Sequence, residues 1–463
     1  MPAKPKVVFL PHANIQYSQL KPGRRAWVAR QSYEKLFDLV ASDPRYRIGF
    51  EASGETVAFM ARETPEVAKK LKALIKKGQI EPVGSPYTHL MVSNIDPEIV
   101  LLTLKDGLDA WEKHTGVRPA VGWNPECSWT SHVPQVYKQA GFKSLVMDAD
   151  SFFLSFQDIR EATKLAFDVR GHSNKNHLFK IEEYIKDKPH YLKFLTNPSK
   201  AANGLKLIFR SDMMSNFMLW YLMGATEGYR EKPVGLEEVQ GVLATWKKRV
   251  EATGSFIMPY AEDAEYIGTT AYFYVKQFGQ ARFFEPEPGS VARFKQALDA
   301  ALAQGYELAT PSAALAAPAL PNPAVANIEN GVAWHGGTAK AWANTKYARI
   351  LDPVCRSVYD GIKDVCREAK LPLTSGDKNL RMALTRVISS YVSDARWPPD
   401  PTSPGRFNVE EALDDLAAAN VALGKLMGAK KLGAKKALYS PALMHGQIEA
   451  IRAELMALKY FGE

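Results

Sequence analysis

Short uninterrupted apolar runs alternate with longer stretches of helically spaced apolar residues over roughly the first 310 positions. Lys6 to Pro11 (KVVFLP) reads as a buried strand. A helix follows over Ser32 to Ala41, then a strand over Arg47 to Glu51. The stretch Thr64 to Lys77 carries a complete helix signature, with Thr64 at the cap, Pro65 in the first position and Gly78 as the stop. Ile80 to Val83 is the next strand, Pro97 to Lys113 the next helix, and a strand then leads up to Glu126. Val133 to Ala140, stopped by Gly141, is a helix, followed by strands at Ser144 to Asp150 and Leu205 to Phe209. The Met- and aromatic-rich MMSNFMLWYLM predicts a packed helix. Leu236 to Glu251 predicts another, and Ser255 to Tyr260 a last apolar strand before the alternation ends near residues 306–312. Strand and helix in strict alternation argue for parallel βαβ units, not a sandwich.

Beyond this the pattern changes. AALAAPALPNPAVAN, within 313–330, has the composition of an extended connector. Residues 331–463 carry helical periodicity to the end, with one loop at WPPDPTSPG. The expected organisation is therefore an α/β domain over 1–312, a connector over 313–330 and a helical domain over 331–463.

Composition changes this picture little. A chain of 463 residues with 46% hydrophobic and 24% charged positions can bury a large core. The net charge of +9 is spread along amphipathic stretches such as PEVAKKLKALIKKG without an accompanying recognition motif, so a solvated helix face explains it and nucleic acid is not an expected partner. Three cysteines, Cys127, Cys355 and Cys366, form neither a disulfide framework nor a metal-ligand spacing. The N-terminus lacks a signal-length apolar run, and no stretch of about 18 apolar residues occurs. A cytoplasmic protein without a membrane partner is expected.

Candidate chemistry gathers where the strands end. His12, Asn14 and Gln16 follow the first strand, and Glu126 follows another inside GWNPECSW, flanked by Trp123 and Trp129. Asp148 and Asp150 end a strand, Arg210 and Asp212 follow the next, and Glu262, Asp263 and Glu265 follow Tyr260. Strand ends are where α/β folds present chemistry. Two carboxyl groups meeting there suit glycosidic cleavage, in which one protonates the leaving oxygen and the other attacks or stabilises the anomeric carbon. Flat indole faces suit sugar rings. Loop fastening and helix capping account equally well for any one of these residues.

Taken together the motifs resemble glycoside hydrolase family 57. GWNPECSW is similar to its nucleophile motif. GQIEPVGSPYTH (78–89) resembles its second motif with the Ser-Pro-Tyr-x-His continuation of the amylopullulanase-like branch, FRSDMMSNFM its Phe-Arg-Asp segment, and DAEYIG (263–268) its acid/base motif. PHANIQ keeps only the His of the usual His-Gln-Pro, and WHGG (334–337) resembles a Trp-His brought toward the cleft. The resemblance implies an incomplete (β/α)7 barrel followed by a C-terminal helical domain, without an evident β-rich domain, and retaining cleavage or transfer at α-glycosidic bonds of an oligosaccharide or polysaccharide, with no metal or other cofactor. It assigns the nucleophile to Glu126 and the acid/base to Asp263. His12, Gln16, Glu81, His89, Trp123, Trp129, Arg210, Asp212, Tyr260, Glu265, Trp334 and His335 become candidate substrate contacts.

Two alternatives stay open. A metal-dependent polysaccharide deacetylase would use the histidines of HSNKNH (172–177), whose spacing does not match one helix face. A carbohydrate-binding protein with weak catalysis would keep the barrel without efficient turnover.

Overall fold

Seven apolar runs become seven parallel strands: β1 (Lys6–Phe9, extended by His12–Ala13), β2 (Ile48–Ala52), β3 (Ile80–Gly84), β4 (Val121–Trp123), β5 (Ser144–Asp148), β6 (Lys206–Arg210) and β7 (Phe256–Tyr260). The computed structural model describes residues 4–169, 174, 177–224, 232–275, 280–397 and 407–458. Pairing runs β7-β1-β2-β3-β4-β5-β6, every neighbour parallel. Among the described residues no ladder joins β6 to β7, so the barrel keeps an open seam. At the N-terminal half of that seam, Ser199–Lys200 pairs with β6 and Leu320–Pro321 pairs with Ser199–Lys200. Inward-facing Val8, Leu10, Val83, Val121, Val146, Ile208 and Met258 fill the interior as a continuous core, as strands buried on both faces require.

The chain divides into two compact units. The first comprises residues 1–15, 22–87 and 92–339. The Ala- and Pro-rich stretch belongs to it and is not an extended connector: Pro311–Leu315 is a helical turn and Leu320–Pro321 a strand. Small alanines let this segment close the lower mouth of the barrel, where Lys6 Nζ donates to the Ala313 carbonyl and Lys206 Nζ to the Leu315 carbonyl, each at 2.8 Å. WHGG also lies in this unit, so the sequence-drawn boundary at 331 differs from the observed one at 339.

The helix expected at Ser32–Ala41 begins earlier, at Arg25, and contains a π-helical turn over Ala29–Glu34. The helix Gly54–Glu63 (α1), capped by Ser53, is an addition to the pattern read from sequence. Pro65–Lys76 (α2), Pro97–Thr115 (α3) and Val133–Ala140 (α4) fall where expected. The Met-rich segment is a helix, Asp212–Met223 (α5), buried almost throughout. Leu236–Thr253 (α6) and Pro288–Ala303 (α7) complete this set.

The second unit comprises residues 16–21, 88–91 and 340–463. It is built on helices Lys346–Ala369 (α8), Lys378–Ser389 (α9), Phe407–Ala429 (α10) and Pro441–Ala457 (α11). Along α8, Leu351, Cys355, Val358, Ile362 and Val365 recur at helical spacing and are buried. The expected loop WPPDPTSPG lies, beyond Trp397, outside the described residues. Among the described residues no helix is long and apolar enough to cross a membrane.

One close approach positions the loop after β3. A Cβ built on Gly107 of α3 would meet the Ser85 carbonyl oxygen at 2.3 Å, while Tyr87 N–H bonds the Thr103 carbonyl at 2.9 Å. Because the obstructing atom is backbone, Gly107→Ala should lower stability by about 1–3 kcal/mol. Urea unfolding measures this, and an unchanged midpoint would contradict the packing.

Candidate active site

The C-terminal strand ends deliver His12 from β1, Glu51 from β2, Trp123 to Cys127 from β4, Asp148 from β5, Arg210 and Asp212 from β6, and Tyr260 to Glu265 from β7. All belong to the first unit. Parallel strands put these ends on one face of the barrel.

Glu126 sits in a tight turn just past β4. Cys127 N–H donates to the Asn124 carbonyl at 2.9 Å and Ser128 N–H to the Pro125 carbonyl at 3.1 Å, while the Asn124 side-chain amide donates to the Ser128 carbonyl. Two successive residues, Glu126 (φ 56°) and Cys127 (φ 47°), are left-handed, a conformation that costs a residue with a Cβ about 1–2 kcal/mol. Burial pushes the Cys127 thiol well above its usual range.

His12 joins the two sides of this end. Its ring stacks on Trp123 with centroids 5.2 Å apart and planes at 16°. Its Nδ1 binds the Glu51 carboxylate, and its Nε2 lies 3.9 Å from Asp263 Oδ1. Burial opposes the imidazolium, but Glu51, with smaller contributions from Asp263 and Glu265, outweighs it and raises the pKa to about 10. Glu265 accepts from the Tyr33 hydroxyl and, at 2.8 Å, from Asn14 N–H. Burial and the Asp263 charge push its carboxyl up to about 8. The buried Tyr260 hydroxyl donates to the Asp263 carbonyl at 2.7 Å, fixing the turn that carries this acid.

Around β6 the charges are buried and mutually engaged. Arg210 Nη1 binds Asp212 and lies 3.6 Å from Asp148, and its Nη2 lies 3.4 Å from Glu262. Asp212 also accepts from His335 N–H at 2.6 Å, and its own N–H donates to Asp150 at 2.8 Å. Against the cost of burial, Arg210 and His335 hold the Asp212 carboxyl below its usual range. Asp148, buried beside Asp212, is pushed up to about 7, and burial pushes Asp150 well up. Glu262 is raised to about 7 by burial and by Asp263. Asp148, Asp150 and Asp212 bring one ligand oxygen each within 4.8 Å, a grouping able to hold a cation. Yet Asp148 also accepts from Ser151 N–H, and the Arg210 guanidinium already supplies positive charge there.

One expected contact stands away from these strand ends. Glu81 is the second residue of β3, toward the opposite end of the strand, and its carboxylate accepts from Ser312 N–H at 2.8 Å and from the Ser312 hydroxyl. It ties down the lower mouth instead of meeting a sugar. Gln16 and His89 belong to the second unit, where Gln16 Oε1 accepts from His89 N–H at 3.1 Å and His89 Nδ1 meets Ser393 Oγ at 2.9 Å. Arg210 and Asp212 are only 2% and 0% exposed, so they act within the charge network before they could meet sugar hydroxyls. Trp129 is buried, with its backbone N–H on the Val332 carbonyl at 2.8 Å. Trp334 packs on His335, which is left-handed at φ 57°. Of HSNKNH, only Asn174 and His177 lie among the described residues. Glu51 and Tyr33 escaped sequence reasoning. The available signal for Glu51 was an acid ending the apolar run RIGFE one strand away from His12.

The buried imidazolium makes stability depend on pH. His12 binds its proton more tightly folded than unfolded, so its contribution is complete below about 6.5 and is lost as pH rises toward about 10. Glu265 and Glu262, also raised, lose theirs at lower pH, through about 8 and about 7. The urea midpoint of the wild type should therefore fall with rising pH, and between pH 8 and 10 the fall should be shallower in Glu51→Gln. Equal slopes in the two proteins would refute the His12–Glu51 pair as its source.

Comparison with known proteins agrees with this architecture. A region of an alpha-amylase from Pyrococcus horikoshii is 27% identical over 139 residues, 29% of this chain and 21% of that protein. A 4-alpha-glucanotransferase from Thermococcus litoralis is 23% identical over 195 residues, 39% of this chain and 29% of that protein. The matched part thus spans less than a third of either curated relative. Among solved structures, a family 57 branching enzyme from Thermococcus kodakaraensis superposes with a TM-score of 0.64 at 13% identity, covering 100% of this chain and 97% of that one. An alpha-mannosidase from Enterococcus faecalis gives 0.53 at 13% identity, covering 92% and 42%. These structural likenesses speak for the fold. The model of glycosyl hydrolase family 57 matches residues 3–281, more than half of the sequence, and the chain belongs to that family.

Proposed function

We propose that this protein is a retaining glycoside hydrolase acting on α-glycosidic bonds of an α-glucan or oligosaccharide, with Glu126 as nucleophile and Asp263 as acid/base. The observation that carries the reading is the position of His12, stacked on Trp123 three residues before Glu126 and facing Asp263 at 3.9 Å. One imidazolium thereby associates the ends of β4 and β7, the two strands that carry the acids. The names of the curated relatives, alpha-amylase and 4-alpha-glucanotransferase, support an α-glucan substrate.

In this mechanism a Glu126 carboxylate oxygen attacks the anomeric carbon while Asp263 gives its proton to the departing glycosidic oxygen. The Asp263 carboxylate then takes a proton from water or from a sugar hydroxyl, whose oxygen displaces Glu126. Water completes hydrolysis. A sugar hydroxyl completes transfer, the second reading, favoured by the glucanotransferase relative. Retention calls for carboxyl groups about 5–5.5 Å apart. His12, Trp123 and Trp334 remain the proposed substrate surroundings in the first unit, with the buried Tyr260, Glu265, His335 and Trp129 behind them; no metal or cofactor takes part, and a cytoplasmic location belongs to the same proposal.

Product analysis on maltooligosaccharides and α-galactosides, with and without added acceptor, tests this. Wild type should release or transfer sugar with retained anomeric configuration, read by NMR of the first product. Glu126→Gln should be inactive. Asp263→Asn should lose about 10²- to 10⁴-fold, the range for a general acid/base. Turnover surviving in Glu126→Gln, or an inverted first product, would overturn the assignment.

A further inference from the structure

The open seam between β6 and β7 poses a problem that the two catalytic acids do not answer. Asp263 follows β7 closely, and on one side that strand is fastened by backbone: Leu10 N–H donates to Tyr260 O at 2.7 Å and His12 N–H to Glu262 O at 2.9 Å. On the other side no ladder is present among the described residues. Side chains from the β6 side replace it. Arg210 Nε donates to the Ala261 carbonyl at 2.9 Å, and Ser215 Oγ of α5 accepts from Ala261 N–H at 3.1 Å. Both polar groups of one β7-end peptide position are thereby satisfied from across the seam. Arg210 then reaches Glu262 at 3.4 Å, Asp148 at 3.6 Å and the Cys127 sulfur at 3.8 Å. Its planar fork touches groups at the ends of β4, β5 and β7 while standing on β6, a geometry that a lysine's point charge cannot reproduce. Its side chain is almost wholly buried.

We propose that Arg210 is a positioning residue that holds the turn carrying Asp263 against the turn carrying Glu126, and is not a sugar contact. The inference rests on the reading of Asp263 as acid/base, and its test is arranged to separate the two. A misplaced acid harms leaving groups that need protonation and spares those that do not. Arg210→Lys should lower kcat about 10- to 100-fold on an alkyl α-glucoside, the order expected for a displacement near 1 Å, with KM nearly unchanged. On a dinitrophenyl α-glucoside, whose leaving group needs no proton, kcat/KM, which reports glycosylation of Glu126 alone because the second step still needs Asp263 as base, should fall less than about 3-fold. Glu262→Gln, which keeps the side-chain shape and drops the charge, should show the same leaving-group dependence more weakly. Both variants are first checked for a native unfolding transition.

A rise in KM with unchanged kcat on the alkyl glucoside would overturn the proposal in favour of a sugar contact, and equal losses of kcat/KM on the two substrates would overturn it in favour of general destabilisation. Asp263→Asn serves as the control. If it lacks leaving-group dependence, the acid/base assignment falls, and hydrogen exchange decides on Arg210. Exchange of residues 260–268 should quicken in Arg210→Lys while β2 and β3 stay protected. Unchanged exchange in that segment would overturn the positioning role whatever the activity.

Discussion

A seven-stranded parallel barrel must deal with the edges left where an eighth strand would sit, because buried backbone polar groups without partners are costly. This chain solves the problem differently at its two ends. Near the lower mouth, Ser199–Lys200 and Leu320–Pro321 extend the sheet from β6. Near the upper end, where the proposed catalytic acids stand, a further strand would cover groups that must stay reachable. Arg210 and Ser215 therefore bond the β7 end through side chains. The incomplete barrel and the buried arginine are two aspects of one constraint.

That solution brings a charge into the interior, and a buried charge is tolerated only when paired and hydrogen-bonded. Asp212 neutralises Arg210 directly, and the carboxyls raised by burial, Asp148, Asp150 and Glu262, reduce the excess negative charge by holding protons more tightly. On the β1 side, the His12 imidazolium does the same for Glu51 and faces Asp263. The two cations differ in kind. Arg210 keeps its proton at any working pH, whereas His12 can release its own; beside Arg210 the groups that respond to pH are the raised carboxyls Asp148 and Glu262.

The strands were legible because parallel strands buried on both faces appear as unbroken apolar runs, as in KVVFLP and LKLIF. The proposed acids at 126 and 263 could be nominated because local residue order carries them. What depends on register or on distant pairing was not. Glu81 belongs to a recognisable motif, yet its place early in β3 sends it to Ser312. Glu51 acquires meaning only when β2 lies beside β1 and puts it under His12. The alanines and prolines after residue 312 have a linker's composition, and only the three-dimensional course of the chain makes their small size a means of plugging the barrel mouth.

Glu126 joins these arguments. Local preference resists a left-handed glutamate followed by a left-handed cysteine, so the surroundings must impose the turn. They do so with short-range bonds, from Asn124 to Ser128 and from Cys127 to Asn124, and with the longer contact from Arg210 to the Cys127 sulfur. A glycine would adopt the same backbone at lower cost but would offer no carboxylate. The turn thus sets backbone strain against the placement of an acid beyond the end of β4, and the guanidinium that spans the β6–β7 seam also touches the residue next to it. Strain at one acid and closure at the other are therefore managed by a single side chain, which ties the shape of this end of the barrel to its chemistry.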